Sequence, residues 1–313
     1  MNLPATRVRV PATVEFLARC VHGARRRFGR SRGGVDDDRS SRAPVRNDAR
    51  VFARALAELG IRSGDLLMVH SSGAAIERLG WELPEFLDFL LDYLGPAGTL
   101  AMPSHPKLLR RNGRDLYDVR RSPSTVGLLT ELFRRRPGTL RSRYPLSAAA
   151  ARGVRAEALI TDHRRSWAPH DEHSPYAKLA DLGGKALCIG CPLDRITVLH
   201  VAEDVLRDEL PVAGFHERRE IGMRDGGPEE QMTVHARAGW LWWYLALGRW
   251  TYDMYSNGLA RDARIDGVTL RVTDAGETVE WMKTGLRGGR WIYPLAWANR
   301  WLRLGPPGQE HDA

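Results

Sequence analysis

The chain has 313 residues, 43% hydrophobic and 27% charged, which fits one large globular domain or two small ones. That usage excludes wholesale disorder and collagen-like order. The formal charge is +9, but residues 1–50 hold twelve Arg against five acids, so the remaining 35 basic and 33 acidic groups nearly cancel. The high pI therefore describes one segment. No recognition-helix or stacking motif accompanies it, so a nucleic-acid partner is not expected.

Residues 1–45 mix Arg, Gly and Ser with Asp36-Asp37-Asp38 and read as a basic, mostly disordered tail suited to weak contact with an anionic surface. Within it, Thr13–Arg27 has the spacing of a short basic amphipathic helix. Glu15 and Arg19 interrupt the apolar residues around Val10–Val21 and no small-residue cleavage site follows, so no secretory signal is expected. No run of 18 apolar residues occurs anywhere, and three Cys fit a reducing cytoplasm.

Order is expected from about Asn47. Val51, Leu56 and Leu59 recur at helical spacing, and Gly60 closes that helix. Asp65–His70 is a short apolar run between Gly64 and Ser71-Ser72-Gly73, which reads as a buried strand. Pro84–Leu94 is a helix stopped by Gly95-Pro96, and Thr99–Met102 is a second strand. Ser122-Pro123 has the chemistry of an N-cap and N1 pair, so a third helix is expected from there to Arg136. Lys185–Gly190 is another buried strand, and Thr197 opens a helix to about Leu206. Strands alternating with helices imply an α/β fold with parallel strands at the centre of the sheet. Eight of the ten Trp lie between Trp240 and Trp301. The Trp240–Trp250 run reads equally as a helix packed on the core and as an aromatic wall of a substrate cleft.

Several short motifs have ordinary explanations. In Cys188-Ile189-Gly190-Cys191 the first Cys sits inside an apolar strand, and Cys20 is the only other Cys, so a structural role is expected over redox or zinc chemistry. His163, His170 and His173 cluster near Asp171-Glu172, but in a polar loop without regular ligand spacing, so no metal is expected. Dinucleotide, P-loop and G-x-S-x-G patterns are absent. More informative is Asp194–Glu203, which follows a buried strand where α/β folds place ligand sites. There His200 and Glu203 are three apart and share a helix face, and a His beside a carboxylate is a competent general base.

Seven motifs stand in order between residues 46 and 210: Gly64–Ser72, Gly95–Pro103, Ser122–Gly127, Arg141–Ser147, Ser174-Pro175-Tyr176, Leu182–Lys185 and Thr197-x-x-His200-x-x-Glu203. Together they resemble the aminoglycoside 3-N-acetyltransferase family. The resemblance implies a single α/β domain with a central mixed or parallel sheet flanked by helices, over residues 46–303. Residues 222–303 would form a Trp-rich acceptor side, with a disordered tail at 304–313. It places the family's catalytic His on His200, and its later acidic position on Asp253, ahead of Tyr255-Ser256-Asn257-Gly258. The coenzyme A site would fall on Ser71, Ser72, Ser122, Ser124, Arg141 and Ser142. Where the family usually has His before Pro, this chain has Tyr144, which can donate a hydrogen bond but cannot titrate near neutrality.

The resulting expectation is an acyl transferase that moves an acetyl or other acyl group from coenzyme A to a primary amine without a metal. His200 would take the amine proton, with Glu203 or Asp253 orienting it. The oxyanion would be held by Tyr144 or by backbone N–H groups near Ser71-Ser72. A helix start at Ser122-Ser124 and the Arg141 guanidinium would suit phosphates. The tract around Trp240–Trp250 is aromatic and basic, with Arg237 and Arg249. That suits an amino sugar or sugar-nucleotide amine better than a polycationic aminoglycoside. Aminoglycoside inactivation and a non-catalytic coenzyme-binding module are the competing expectations. A cytoplasmic monomer or homodimer completes the reading.

Overall fold

Residues 66–71, Leu-Leu-Met-Val-His-Ser, form β1, and five of the six are buried. Leu66 and Met68 point to one face, Leu67 and Val69 to the other, and each face meets its own core. A strand apolar on both faces belongs at the centre of a helix-covered parallel sheet. In the computed structural model of this protein, which describes residues 48–209, 216–237 and 247–288, β1 lies there. It pairs in parallel with β2 (Thr99–Pro103) and with β7 (Lys185–Ile189).

The edges run antiparallel. β6 (Ala149–Gly153) and β5 (Leu140–Arg141) extend the sheet beyond β2, and β11 (Val268–Asp274) and β10 (Ala260–Ile265) extend it beyond β7. The order is β10-β11-β7-β1-β2-β6-β5. A parallel centre with antiparallel flanks is thus the outcome, in agreement with the expected mixed α/β architecture.

Helices cover both faces. On one side are α1 (Ala49–Glu58), α2 (Gly73–Arg78), α3 (Leu83–Leu94) and α4 (Leu128–Arg134), with Phe52, Ile76, Phe86 and Phe133 buried against Leu67 and Leu187. On the other are α5 (Ala156–Ile160), α6 (Pro175–Asp181), α7 (Val201–Val205), α8 (Leu247–Ser256) and α9 (Ala275–Arg287). Trp250 of α8 is 1% exposed and stands edge-on to Trp281 of α9, with ring centroids 5.0 Å apart. For Trp250, at least, the packing reading of the Trp-rich run holds. Most of that run and both tails lie outside the described residues.

A second, four-stranded sheet has no counterpart in the sequence pattern. β3 (Leu109–Arg111), β4 (Arg114–Asp118), β8 (His216–Arg224) and β9 (Glu230–Arg237) form it in that order, with β4 and β8 parallel. Its core is small: Tyr117, Ile221, Met223 and Val234, together with Tyr144 and Ala148. Only a few residues of each strand are buried, so no continuous apolar run marked them.

Two helix starts differ from expectation. Ser122-Pro123 does not open a helix; α4 begins at Leu128 after Gly127, whose φ is +114°. Residues 122–125 instead lie along residues 105–107, where Thr125 N–H donates to His105 O and Lys107 N–H to Pro123 O. The Asp118 carboxylate accepts from Arg120 and Arg121 N–H, and Ser122 Oγ accepts from Asp118 N–H, which holds the turn out of helical form. Thr197–His200 is one 3₁₀ turn before α7 proper.

Candidate active site

β1, β2 and β7 are parallel neighbours, so their carboxyl ends lie together at one edge of the sheet, the position where α/β sheets bind ligands. β1 delivers His70, the segment after β2 delivers His105, and the turn after β7 leads to Thr197 and His200. That turn is tight: Gly190 has φ +62°, and a Cβ there would stand 2.1 Å from Ala75 Cβ. Glycine is therefore required for the chain to reach the cleft.

His200 is 6% exposed, and its Nδ1 lies 3.1 Å from Oε2 of Glu203, which is equally buried. A buried carboxylate on Nδ1 holds the proton there and leaves Nε2 as the basic atom. Both residues and their contact were legible in the sequence.

Around this pair stand three further imidazoles. His70 Nε2 accepts from Thr197 N–H at 3.2 Å, which places the His70 proton on Nδ1. Burial lowers the His70 pKa to about 4, so the ring is neutral at pH 7. His105 faces Tyr176 Oη at 3.3 Å. Burial, and then the neighbouring His170, His70 and His200, lower its pKa to about 3. His170 lies with its ring centroid 5.3 Å from that of His200. His105 and His170, with Pro145, Leu146, Ser147 and Pro169, line a cavity of about 260 Å³.

His70, His105 and His170 are site residues that the sequence motifs did not single out. For His105 a signal existed, since it follows a buried strand just as the His200 segment does. The clustered His163, His170 and His173 separate. His163 is buried between Ser142 Oγ (2.8 Å) and Pro169 O (3.2 Å), with its pKa lowered by burial to about 3. Among the described residues no group of His, Cys, Asp or Glu is arranged to hold a metal.

Four expected site residues have other work. Arg141 is 9% exposed, and its guanidinium donates to the carbonyls of Val119, Ser122 and Ser104, so its donors serve the loop around the cleft rather than a phosphate. Ser142 is 1% exposed, its hydroxyl between His163 and Ala149 N–H, and Ser122 is fully buried. Tyr144 is also fully buried; its hydroxyl donates to Trp167 O at 3.1 Å and its ring stacks on His163, which takes it out of oxyanion binding. Burial holds its phenol well above the usual range.

Ser71 and Ser72, at the end of β1, and Ser124 are half-buried. The Ser72 N–H already donates to Ile189 O, so it is not the expected oxyanion donor. Asp253 is half-buried on α8, and its main-chain oxygen accepts from Asn257. Cys188 and Cys191 are free thiols that donate to Pro192 O and His70 O, each at 3.6 Å.

The family model described as aminoglycoside 3-N-acetyltransferase matches residues 68–287, from within β1 to the last residue of α9. The chain belongs to the aminoglycoside 3-N-acetyltransferase family. It is 30% identical over 265 residues to aminoglycoside N(3)-acetyltransferase IX of Micromonospora chalcea, covering 74% of this chain and 92% of that protein. It is 29% identical over 277 residues to type VIII of Streptomyces fradiae, with 76% and 92% covered. The match to type VII of Streptomyces paromomycinus is 35% over 170 residues, 49% of this chain and 58% of that protein.

Solved structures agree. AAC-IIIb in a binary complex with CoASH superposes with a TM-score of 0.65 at 27% identity, covering 78% of this chain and 97% of that one. A His-to-Ala variant of aminoglycoside acetyltransferase AAC(3)-IVa bound to apramycin gives 0.65 at 25% identity, covering 82% and 98%. Coenzyme A is thus the co-substrate of this N-acetyltransferase family.

Proposed function

We propose that this family member transfers an acetyl group from coenzyme A to a primary amine of an amino sugar, with His200 as general base. The observation that carries the reading is the buried His200–Glu203 pair at the carboxyl ends of the central strands. A thioester is activated enough for direct attack, but an alkylamine is protonated at pH 7 and must lose a proton to attack. His200 Nε2 takes that proton as the C–N bond forms, and Glu203 stabilises the imidazolium. The proton then passes to the departing thiolate as the C–S bond breaks. General-base help of this kind contributes ~10²–10⁴ in rate.

His70 supplies a donor for the developing oxyanion. Its Nδ1–H is buried and meets no hydrogen-bond acceptor among the described residues, and such a donor costs free energy until a substrate oxygen accepts from it. Ser71, Ser72 and Ser124 remain the candidates for coenzyme contacts, and Asp253 for holding the acceptor amine.

The acceptor reading rests on the aromatic and basic character of residues 237–250, which offers a polycation little. The apramycin-bound relative favours the second reading, acetylation of an aminoglycoside. A thiol-release assay with acetyl-CoA against aminoglycosides and nucleotide-linked amino sugars separates the two. Preference for an aminoglycoside overturns the amino-sugar acceptor. A His200→Ala variant that keeps most of its turnover overturns the base assignment.

A further inference from the structure

Glu203 and Asp204 are consecutive on α7, yet they serve different imidazoles: Glu203 faces His200, and Asp204 faces His170. Asp204 is fully buried, and its Oδ2 accepts from the His170 main-chain N–H at 2.9 Å. The same oxygen lies 3.2 Å from His170 Nδ1, at ion-pair distance though bent from the line of an ideal hydrogen bond. On its far side, His170 Nε2 lies 3.0 Å from Ser147 Oγ.

Carboxylate, imidazole and hydroxyl are thus joined in series, the order in which serine nucleophiles are activated; slack contacts are common before substrate binds. Ser147 has φ +50°, a left-handed backbone that a non-glycine residue adopts only when its surroundings impose it, and such residues concentrate at functional positions. The imposition is visible in the next residue, whose Ala148 O accepts from Ser104 N–H and from Tyr176 Oη–H. Ser147 and His170 both line the 260 Å³ cavity, whose remaining wall includes the apolar Pro145, Leu146 and Pro169. Ser147 is half-buried, so its hydroxyl is reachable from that cavity, which has room for an acyl group and the sulfur it leaves.

We propose that Ser147, His170 and Asp204 form a second catalytic centre that hydrolyses acyl thioesters through an acyl-serine. His170 Nε2 takes the Ser147 proton while Oγ attacks the thioester carbonyl. The C–S bond breaks, and the thiolate leaves with that proton as free thiol. Water, deprotonated by the same nitrogen, then cleaves the ester, releasing the carboxylic acid and restoring Ser147. Thioester and water become acid and thiol, with no other reactant. This centre rests on the proposed function only for its recognition of coenzyme A, so an activated ester tests it independently.

The experiment omits any amine and measures hydrolysis of acetyl-CoA and of p-nitrophenyl acetate, with intact-mass and peptide analysis of rapidly quenched enzyme. The expected result is hydrolysis above the buffer rate, lowered about a hundredfold in Ser147→Ala. Ser147→Cys should retain covalent acetylation at position 147. Thermal unfolding of each variant separates loss of the nucleophile from loss of the fold. A Ser147→Ala enzyme that hydrolyses at the wild-type rate overturns the proposal, as does wild-type enzyme no faster than buffer on both donors. Failure of the His200 assignment is read separately, in amine transfer by His200→Ala.

Discussion

Replacing Glu203 by Gln keeps the volume beside His200 but removes a buried negative charge 3.1 Å from Nδ1. In the resting enzyme that carboxylate holds the Nδ1 proton, and during transfer it faces an imidazolium. A hydrogen bond to a charged group contributes ~1.5–3 kcal/mol, which at ~1.4 kcal/mol per decade corresponds to a loss in kcat/KM of roughly 10- to 150-fold. The amide can also present its NH₂ to the ring and favour the wrong tautomer, which moves the loss toward the upper end.

The assay is thiol release at saturating acetyl-CoA with the amine varied at pH 7. A variant within twofold of wild type in kcat/KM would refute the pairing of Glu203 with the base.

Three more outcomes are expected. His70 and His163 are buried and His105 is half-buried, and all three are held neutral by desolvation, with pKa values lowered to about 4, 3 and 3 for His70, His105 and His163, whereas the unfolded chain titrates near 6.5. The unfolded state thus binds more protons as pH falls below 6.5, and stability drops by ~3–4 kcal/mol between pH 7 and 5.5; urea unfolding at the two pH values measures it, and His70→Asn should flatten the slope by about a third. Arg141→Lys cannot reach all three carbonyls that the guanidinium holds, so it costs ~2–4 kcal/mol of stability, while the folded enzyme keeps its KM for acetyl-CoA; an unchanged melting point with a raised KM would restore the phosphate role. Trp250→Ala removes a buried indole from between α8 and α9, at ~3–5 kcal/mol by chemical denaturation.

Much of the fold was legible because its centre obeys local rules. Within Asp65–His70, Thr99–Met102 and Lys185–Gly190 the central residues Leu66–Val69, Leu100–Met102 and Ala186–Ile189 are apolar without interruption, as strands buried on both faces must be, and each segment appears as a strand within a residue or two. The second sheet was not legible, because Ile221, Met223 and Val234 are isolated buried residues in otherwise polar strands. Ser122-Pro123 misled for a related reason. Its capping chemistry is sound in isolation, but the Asp118 carboxylate and the pairing with residues 105–107 hold those residues extended.

The site divides along the same line. His200 and Glu203 are three residues apart, so one turn of backbone sets their meeting, and sequence alone determined the pair. His70, His105 and His170 come from three separate segments, and only the sheet brings them to one cleft. Sequence likewise showed Arg141, Ser142 and Tyr144 as polar groups near a ligand motif, but a side chain's partners depend on what packs across from it. Tertiary structure turned Arg141 toward three carbonyls and Tyr144 toward Trp167, and set Ser147 against His170. Residue type and spacing decide which chemistry is available; burial and long-range contact decide which groups are left to perform it.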